Sequence, residues 1–315
     1  MLSLLPGGCG RSRARQILGM NRRERELVAT FNPLRDCALA DDKILTKTLL
    51  AAHGLPIPAT YAVIEEMRDV ARFKHVVGGL EHFVIKPACG KAGAGIVVLG
   101  PKAGNGWYGP AGTVWDDSGI RQVLGNILLG EYASRTSDRA LIEERLFAGP
   151  VLGDMPTIGL PDIRVITLQG TPVMSMVRLP TRRSAGKANL HLGAVGVGVD
   201  LQTGRTIGGT WRGRAVTHHP ETNRFLAGIR VTAWDRVMEI VHDAARVFPL
   251  GYLGFDISIT REGRPVILEV NARPGLEIQN ANSRGLRPEI ARVLGRAGSR
   301  RPERPSRTGA GPGAC

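Results

Sequence analysis

Cysteine is scarce and unpatterned. The four in this chain of 315 residues (Cys9, Cys37, Cys89 and Cys315) form no CxxC pair and no metal-ligand spacing. That argues against a zinc module or a disulfide scaffold and points to thiols kept reduced in a cytoplasm. No apolar run approaches the roughly 18 residues of a membrane span. The opening MLSLLPGGCGRSRAR is a poor secretory signal, because Pro6 and Gly7 break its short apolar stretch and its arginines follow that stretch. Met20 is a second candidate start. Aromatic residues are only 5% of the chain, so no ring-rich surface speaks for base stacking. There is no internal repeat. What is plentiful is ordinary apolar content, 43%, enough for one large or two smaller cores.

Acid is the minority charge. Forty-two Lys and Arg against 28 Asp and Glu give +14, a value that suggests a nucleic-acid partner until it is located. Residues 1–25 hold six arginines and one glutamate, and residues 284–315 hold eight arginines and two acids. The body between therefore carries only +3. The excess lies in the ends, and the last stretch, GSRRPERPSRTGAGPGAC, has the composition of a disordered tail. Nucleic acid is not the expected partner.

The most informative segment is GYLGFDISIT-REG-RPVILEVNARPG. A two-residue turn at Glu262-Gly263 would pair Ile259 with Val266, Ile257 with Leu268 and Phe255 with Val270, an apolar face of period two. On the other face Asp256 would oppose Glu269, with Asn271 two residues on. Opposed Cβ atoms in such a ladder lie about 5 Å apart. Two carboxylates that close repel unless one is protonated or a cation lies between them. Carboxylate and amide oxygens are the ligands magnesium favours, with phosphate and water completing the shell. The alternative is a solvated sheet edge with no role.

Elsewhere, DDKILTKTLLAAH (residues 41–53) reads as a helix capped by Asp41 or Asp42. A shorter helix is expected over 65–76, another over 118–132 and a long one over 230–247. Phe83 to Lys86 and Ile96 to Leu99 read as paired strands around PACGKAGAG, a loop whose glycines let backbone approach phosphate. Lys86 and Lys91 give that loop positive charge. It matches neither GxxxxGK[ST] nor GxGxxG, and a plain flexible turn is the alternative. Residues 100–117 read as a turn-rich excursion. PDIRVITLQGTPVMSMVRLP reads as a hairpin turning at Gln169-Gly170, with Asp162 and Arg164 on one face and Arg178 ending the second strand. TRRSAGKANLHLGA reads as a basic loop. Mixed helices and antiparallel hairpins make the fold class α+β.

DDKILTK, VIKPACGKAGAG, LIEERL, DIR, KANLH, GFD and EVNARPG follow one another in an order that resembles the ATP-grasp superfamily of carboxylate–amine ligases, from about Asp41 to Gln279. Within it the chain looks similar to the branch of α-L-glutamate ligases that modify ribosomal protein. The resemblance implies two α+β lobes with the nucleotide between antiparallel sheets. It also implies an N-terminal segment (1–40, basic and partly disordered), a small lobe (41–140), a large lobe (141–296) and a disordered tail (297–315).

The residue roles it implies are these. Lys86 contacts the α- and β-phosphates, and Lys43, or its neighbour Lys47, lies near the nucleotide. Gly90, Lys91, Gly93 and Gly95 belong to a mobile loop over the phosphates. The backbone of Glu143, Glu144, Arg145 and Leu146 reads the adenine edge, and Asp162 holds a ribose hydroxyl. Lys187 and Asn189 stand near the phosphates, Lys187 replacing an arginine and losing its fork geometry. Asp256, Glu269 and Asn271 hold Mg2+, with Mn2+ as a substitute. Arg164, Arg178 and Arg273 line the γ-phosphate end and suit an anionic acid such as glutamate. The implied reaction joins a small-molecule or peptide carboxylate to an amine acceptor through an acyl phosphate, with release of ADP. Arg273 departs from the small or hydroxyl residue usual before Pro-Gly. Only about 40 residues precede Asp41, where relatives commonly carry a further α/β domain, which leaves the acceptor open. Two other readings stand beside this one: an ATP-binding protein without ligase activity, regulatory or kinase-like, and a nucleic-acid-associated protein acting through its basic ends.

Overall fold

The computed structural model describes residues 15–90, 93–104, 106–133 and 136–298. Its largest element is a seven-stranded antiparallel sheet in the order β12-β11-β10-β9-β8-β13-β14. These strands are β8 Asp162–Leu168, β9 Thr171–Leu179, β10 Val195–Val199, β11 Thr206–Trp211, β12 Arg214–Val216, β13 Tyr252–Ile259 and β14 Pro265–Asn271. Alternation gives the sheet two different faces. One carries Ile163, Val165, Val177, Val197, Phe255, Ile257 and Val270 and is covered by the helix Trp234–Val247, which contributes Val237, Ile240, Val241 and Ala244. The other face is divided. At one end Ile166, Leu168, Met174, Met176 and Tyr252 form an apolar patch. At the other end stand Asp162, Arg164, Arg178, Asp256, Glu269 and Asn271.

The apolar end is covered by chain termini. Leu18, Leu27 and Val28 pack there with Ile278, Leu286, Ile290 and Val293, the last two from the C-terminal helix Arg287–Gly298. Of the N-terminal segment expected to be partly disordered (1–40), the described part forms successive helical turns from Met20 onward, ending at Asp41. Their anchors are buried side-chain amides, which composition does not disclose. Residues 1–14 and 299–315 lie outside the described residues. Close approach explains two glycines. A Cβ on Gly198 would lie 2.5 Å from the Ala281 carbonyl oxygen and 2.9 Å from the Asn282 Cα, so only glycine lets the short helix Ile278–Ala281 sit on β10. A Cβ on Gly254 would meet the Pro274 ring at 2.6 Å.

A second sheet, β1-β7-β2-β3, is built from β1 Thr60–Ile64, β2 Phe83–Pro87, β3 Val97–Leu99 and β7 Ala140–Glu144. Helices Met67–Val77 and Asp117–Leu128 close one face around Phe73, Phe83, Ile85, Ile120, Leu124 and Ile142. The other face presents Lys86 and Glu143. The sheet thus spans Thr60 to Glu144, so residue 140 falls at the start of a strand. The helix Lys43–Ala52 sends Leu50 into the core under the large sheet. Its N-terminus is capped by Asp42, whose side chain accepts from Ile44 N and Leu45 N.

The excursion at 100–117 is more regular than its turn-rich sequence suggests. It forms a small three-stranded sheet from Lys102–Ala103, Gly106–Tyr108 and Val114–Trp115. The turn at Gln169-Gly170 has φ of 48° and 73°, the paired positive values of a tight hairpin.

The β13–β14 hairpin keeps the expected pairs Asp256–Glu269 and Phe255–Val270 by a different route. Near the turn Ile259 opposes Pro265 and Ile257 opposes Ile267. The turn is one residue longer at the N-terminal side, where Arg261 joins it, with Thr260 N bonded to Arg264 O and Gly263 at φ 78°. A bulge between these pairs, at Leu268, restores the register.

Candidate functional site

The two lobes meet where the polar half of the large sheet faces Lys86 and Glu143. Glu143 is buried on β7 and holds two lysines, its oxygens lying 2.6 Å from Lys86 Nζ and 2.6 Å from Lys47 Nζ. One carboxylate against two ammonium groups leaves a buried excess of +1 at the cleft. Burial pushes the Lys47 ammonium below its ordinary range, and the Glu143 charge only partly opposes this. Burial alone would raise the Glu143 carboxyl, but Lys86 and then Lys47 hold it below the usual range. Lys47 was legible only as an alternative to Lys43, because nothing in a helical sequence reveals a partner 96 residues away.

Lys43 has a different position. Its Nζ lies 3.1 Å from Glu269 Oε1 and donates to the Gly90 carbonyl at 2.9 Å. One side chain thus joins the glycine-rich loop of the small lobe to β14 of the large one. Lys187 Nζ donates to the Gly93 carbonyl at 3.1 Å, tying the basic loop to the same glycine-rich segment. Gly93 and Gly95 have φ of 75° and 70°, left-handed values that favour glycine. Lys91 lies outside the described residues. Asn189 accepts from His191 N and caps a short turn of that basic loop. Further along β7, Glu144 accepts from Ala59 N, and Arg145 donates to the Gly100 carbonyl and lies 5.0 Å from the Phe147 ring centroid. Leu146 is half-buried in this connection between lobes.

On the large sheet the charges form a ladder across three strands. Arg164 binds both oxygens of Asp256, at 2.7 and 2.6 Å. Arg178 binds both oxygens of Asp162 at 2.6 Å and also reaches Asp256 at 2.8 Å. Burial pushes the Asp162 carboxyl up to about 6 against the pull of Arg178, with Asp256 adding to the rise. Burial also opposes ionisation of Asp256, but Arg164 and Arg178 outweigh it and hold that carboxyl below its usual range. Both guanidinium groups are therefore committed to carboxylates of the protein, which leaves little charge excess for an anionic acid. Arg273 does not join them. It points to the N-terminal segment, 3.3 Å from Glu24 and 3.0 Å from Asp41.

Magnesium is the ion such a site would take, and the donors fit it unevenly. Glu269 is one-third exposed and Asn271 half-buried, both at the open edge of the ladder. They suit an ion that keeps waters and phosphate oxygens. Asp256 is 2% exposed, and both its oxygens accept from arginine, so in this arrangement it anchors guanidinium groups. Asn271 Nδ2 approaches it at 3.5 Å. Among the described residues no three His, Cys, Asp or Glu side chains cluster as a metal site on their own.

The strand end that carries these donors is held by residues the sequence did not reveal. Asn32 donates to the carbonyls of Tyr252 and Ala272, at 2.7 and 2.8 Å, and accepts from Tyr252 N at 2.9 Å. Arg23 donates to the Pro274 carbonyl at 3.1 Å. Gln279 exchanges two hydrogen bonds with the Leu18 backbone. NARPG is thus fixed from Ala272 to Pro274 by the N-terminal segment.

This architecture has a known counterpart. Residues 22–294 match the family model described as sugar-transfer associated ATP-grasp, so the chain belongs to that family and has the α+β ATP-grasp fold. The model that matches is not named for glutamate ligases. No curated protein matches the sequence. Solved structures similar to the chain include the ATP-grasp ligase PsnB complexed with a minimal precursor. It is 17% identical, with 84% of this chain and 63% of that one covered and a TM-score of 0.45. The chain therefore spans less than two thirds of PsnB. D-alanine–D-alanine ligase from Bacillus anthracis is 13% identical, with 82% and 67% covered and a TM-score of 0.46. D-cycloserine synthetase DcsG is 13% identical, with 83% and 73% covered and a TM-score of 0.42. Among the described residues no helix is long and apolar enough to cross a membrane.

Proposed function

We propose that the protein is an ATP- and magnesium-dependent carboxylate–amine ligase, with the nucleotide phosphates between Lys86 and β14. The observation that carries this reading is the position of Lys43, within 3.1 Å of both the glycine-rich loop and Glu269. A cation there neutralises phosphate oxygens that reach both lobes. Lys86 and Lys47 supply charge from the small sheet, and their excess over Glu143 suits a polyphosphate. Glu269 and Asn271 would hold magnesium, which offsets charge as two anions approach. Asp162 and Asp256 fix the two arginines, so those donors are preorganised at no cost when charge develops. Lys187 and the Gly93 carbonyl hold the loop closed over the same place. A substrate carboxylate oxygen then attacks the γ-phosphorus, the bond to ADP breaks, and an amine displaces phosphate from the acyl carbon. The chain's residues contribute orientation and charge neutralisation, without a protein nucleophile.

The acid is the open part of this reading. Glutamate is suggested by the sequence resemblance, but the internal pairing of Arg164 and Arg178 favours an acid that brings one carboxylate. The test is ADP release with magnesium and an amine donor, across monocarboxylic and dicarboxylic acids and short peptides. Release that needs both an acid and an amine supports ligation. Release with neither, or none with any pair while nucleotide still binds, favours the ATP-binding protein without ligase activity.

A further inference from the structure

Two basic stretches far apart in sequence, residues 15–36 and 284–298, meet on one side of the molecule. Arg287, at the start of the C-terminal helix, donates to the Arg15 carbonyl, and Gln279 binds the Leu18 backbone. Of the described residues, 15–36 hold five arginines and three acids, and 284–298 hold four arginines and one acid. These two stretches therefore carry a net +5, against +3 for the whole chain between residues 26 and 283. The acids there are already shared: Glu26 lies near Arg22 and Arg25, and Glu289 near Arg284 and Arg292. Among the described residues neither Arg15 nor Arg287 has a carboxylate partner. Between them lies a groove of about 470 Å³ lined by Ile17, Gly19, Met20, Asn21, Arg22 and Arg287. Ile17 is 53% and Met20 63% exposed, beside charges that would keep an apolar protein partner away.

We propose that this face docks on an anionic lipid bilayer. Flexible apolar side chains ringed by arginine fit the boundary between headgroups and acyl chains. Each arginine near an anionic leaflet contributes additively, so several converging ones suffice for peripheral attachment without a spanning helix. The groove has no aromatic side chain on which a base would stack, which disfavours single-stranded nucleic acid. None of Lys43, Lys86, Glu269 and Asn271 lines the groove, so the inference does not rest on the ligase reading. The test is sedimentation of the full chain with vesicles of phosphatidylcholine alone or with about one-third phosphatidylglycerol, with an RNA oligonucleotide as competitor. The expected result is binding to anionic vesicles only, released by high salt, and at least tenfold weaker for Arg22→Glu/Arg287→Glu. Because Arg287 also braces Arg15, Met20→Glu/Arg22→Glu serves as the second variant and should show the same loss. Equal binding to neutral vesicles, no binding, full displacement by RNA, or undiminished binding by both folded variants would overturn the proposal.

Discussion

Replacing Glu143 by Gln tests the electrostatics of the cleft on its own terms. The carboxylate sits 2.6 Å from each of two ammonium groups, and all three side chains are 7–8% exposed. Breaking a buried pair typically costs about 3–5 kcal/mol, chiefly because the remaining charge is left without a counter-charge. Here two charges are left, although Lys47, whose pKa burial lowers, can limit the cost by losing its proton. In a chain of this size, with about 2.1 cal/mol/K of unfolding entropy per residue, that corresponds to a melting temperature lower by roughly 5–8 °C. The sign with pH follows from linkage. In the parent protein the depressed Glu143 pKa gives stability that is present above the ordinary carboxylate range and lost as pH falls through the depressed value. In the variant that component is gone. Lys47, which burial already holds below its ordinary range, loses the Glu143 charge that opposed this, so it binds fewer protons folded than unfolded and stability should rise with pH up to the unfolded lysine value of about 10.4. Thermal unfolding from about pH 6 to 10 should therefore show a deficit that narrows as pH rises. An added ATP analogue should also stabilise the variant more than the parent, because phosphate restores counter-charge. A deficit below about 1 kcal/mol, or one independent of pH, would refute the argument.

Three further outcomes follow from the geometry. Asn32→Ala removes three buried hydrogen bonds and should cost about 3 kcal/mol in urea unfolding, with the magnesium dependence of nucleotide binding reduced as the end of β14 loosens. Gly198→Ala should cost about 1–3 kcal/mol, because the new methyl meets backbone atoms of the helix Ile278–Ala281. Arg273→Ala should change stability by less than about 1 kcal/mol, since both its ion pairs are solvated, and should leave the affinity for the acid unchanged in the ADP-release assay.

Much of the large sheet was legible because alternation and turn residues are local signals. Asp162 and Arg164 share a face as read, and Gln169-Gly170 turns as read. The Asp256–Glu269 pair was reached although the turn was misjudged, because an extra turn residue and a bulge at Leu268 cancel. What was not legible depends on distance in sequence. Alternation aligns Asp162, Arg164, Arg178 and Asp256 but does not say that the arginines bind the aspartates and are thereby committed. Arg273 stands two residues from Asn271 in sequence yet turns to Glu24 and Asp41, because the chain leaves the sheet after Asn271. The N-terminal segment reads as a charged end by composition. Its fold depends on Asn32 and Gln279 finding backbone partners more than 200 residues away.

The central claim is a nucleotide cleft that needs both lobes and a divalent ion. Calorimetric titration of a non-hydrolysable ATP analogue, with and without magnesium, tests it on the parent protein, Lys86→Ala and Glu269→Gln. Magnesium should tighten binding to the parent. Lys86→Ala should weaken binding by about 1.5–3 kcal/mol, the range of a hydrogen bond to a charged group. Glu269→Gln should retain magnesium-free binding but lose the response to the ion. Binding to the parent that is absent or indifferent to magnesium, or two variants that titrate like the parent, would contradict the account.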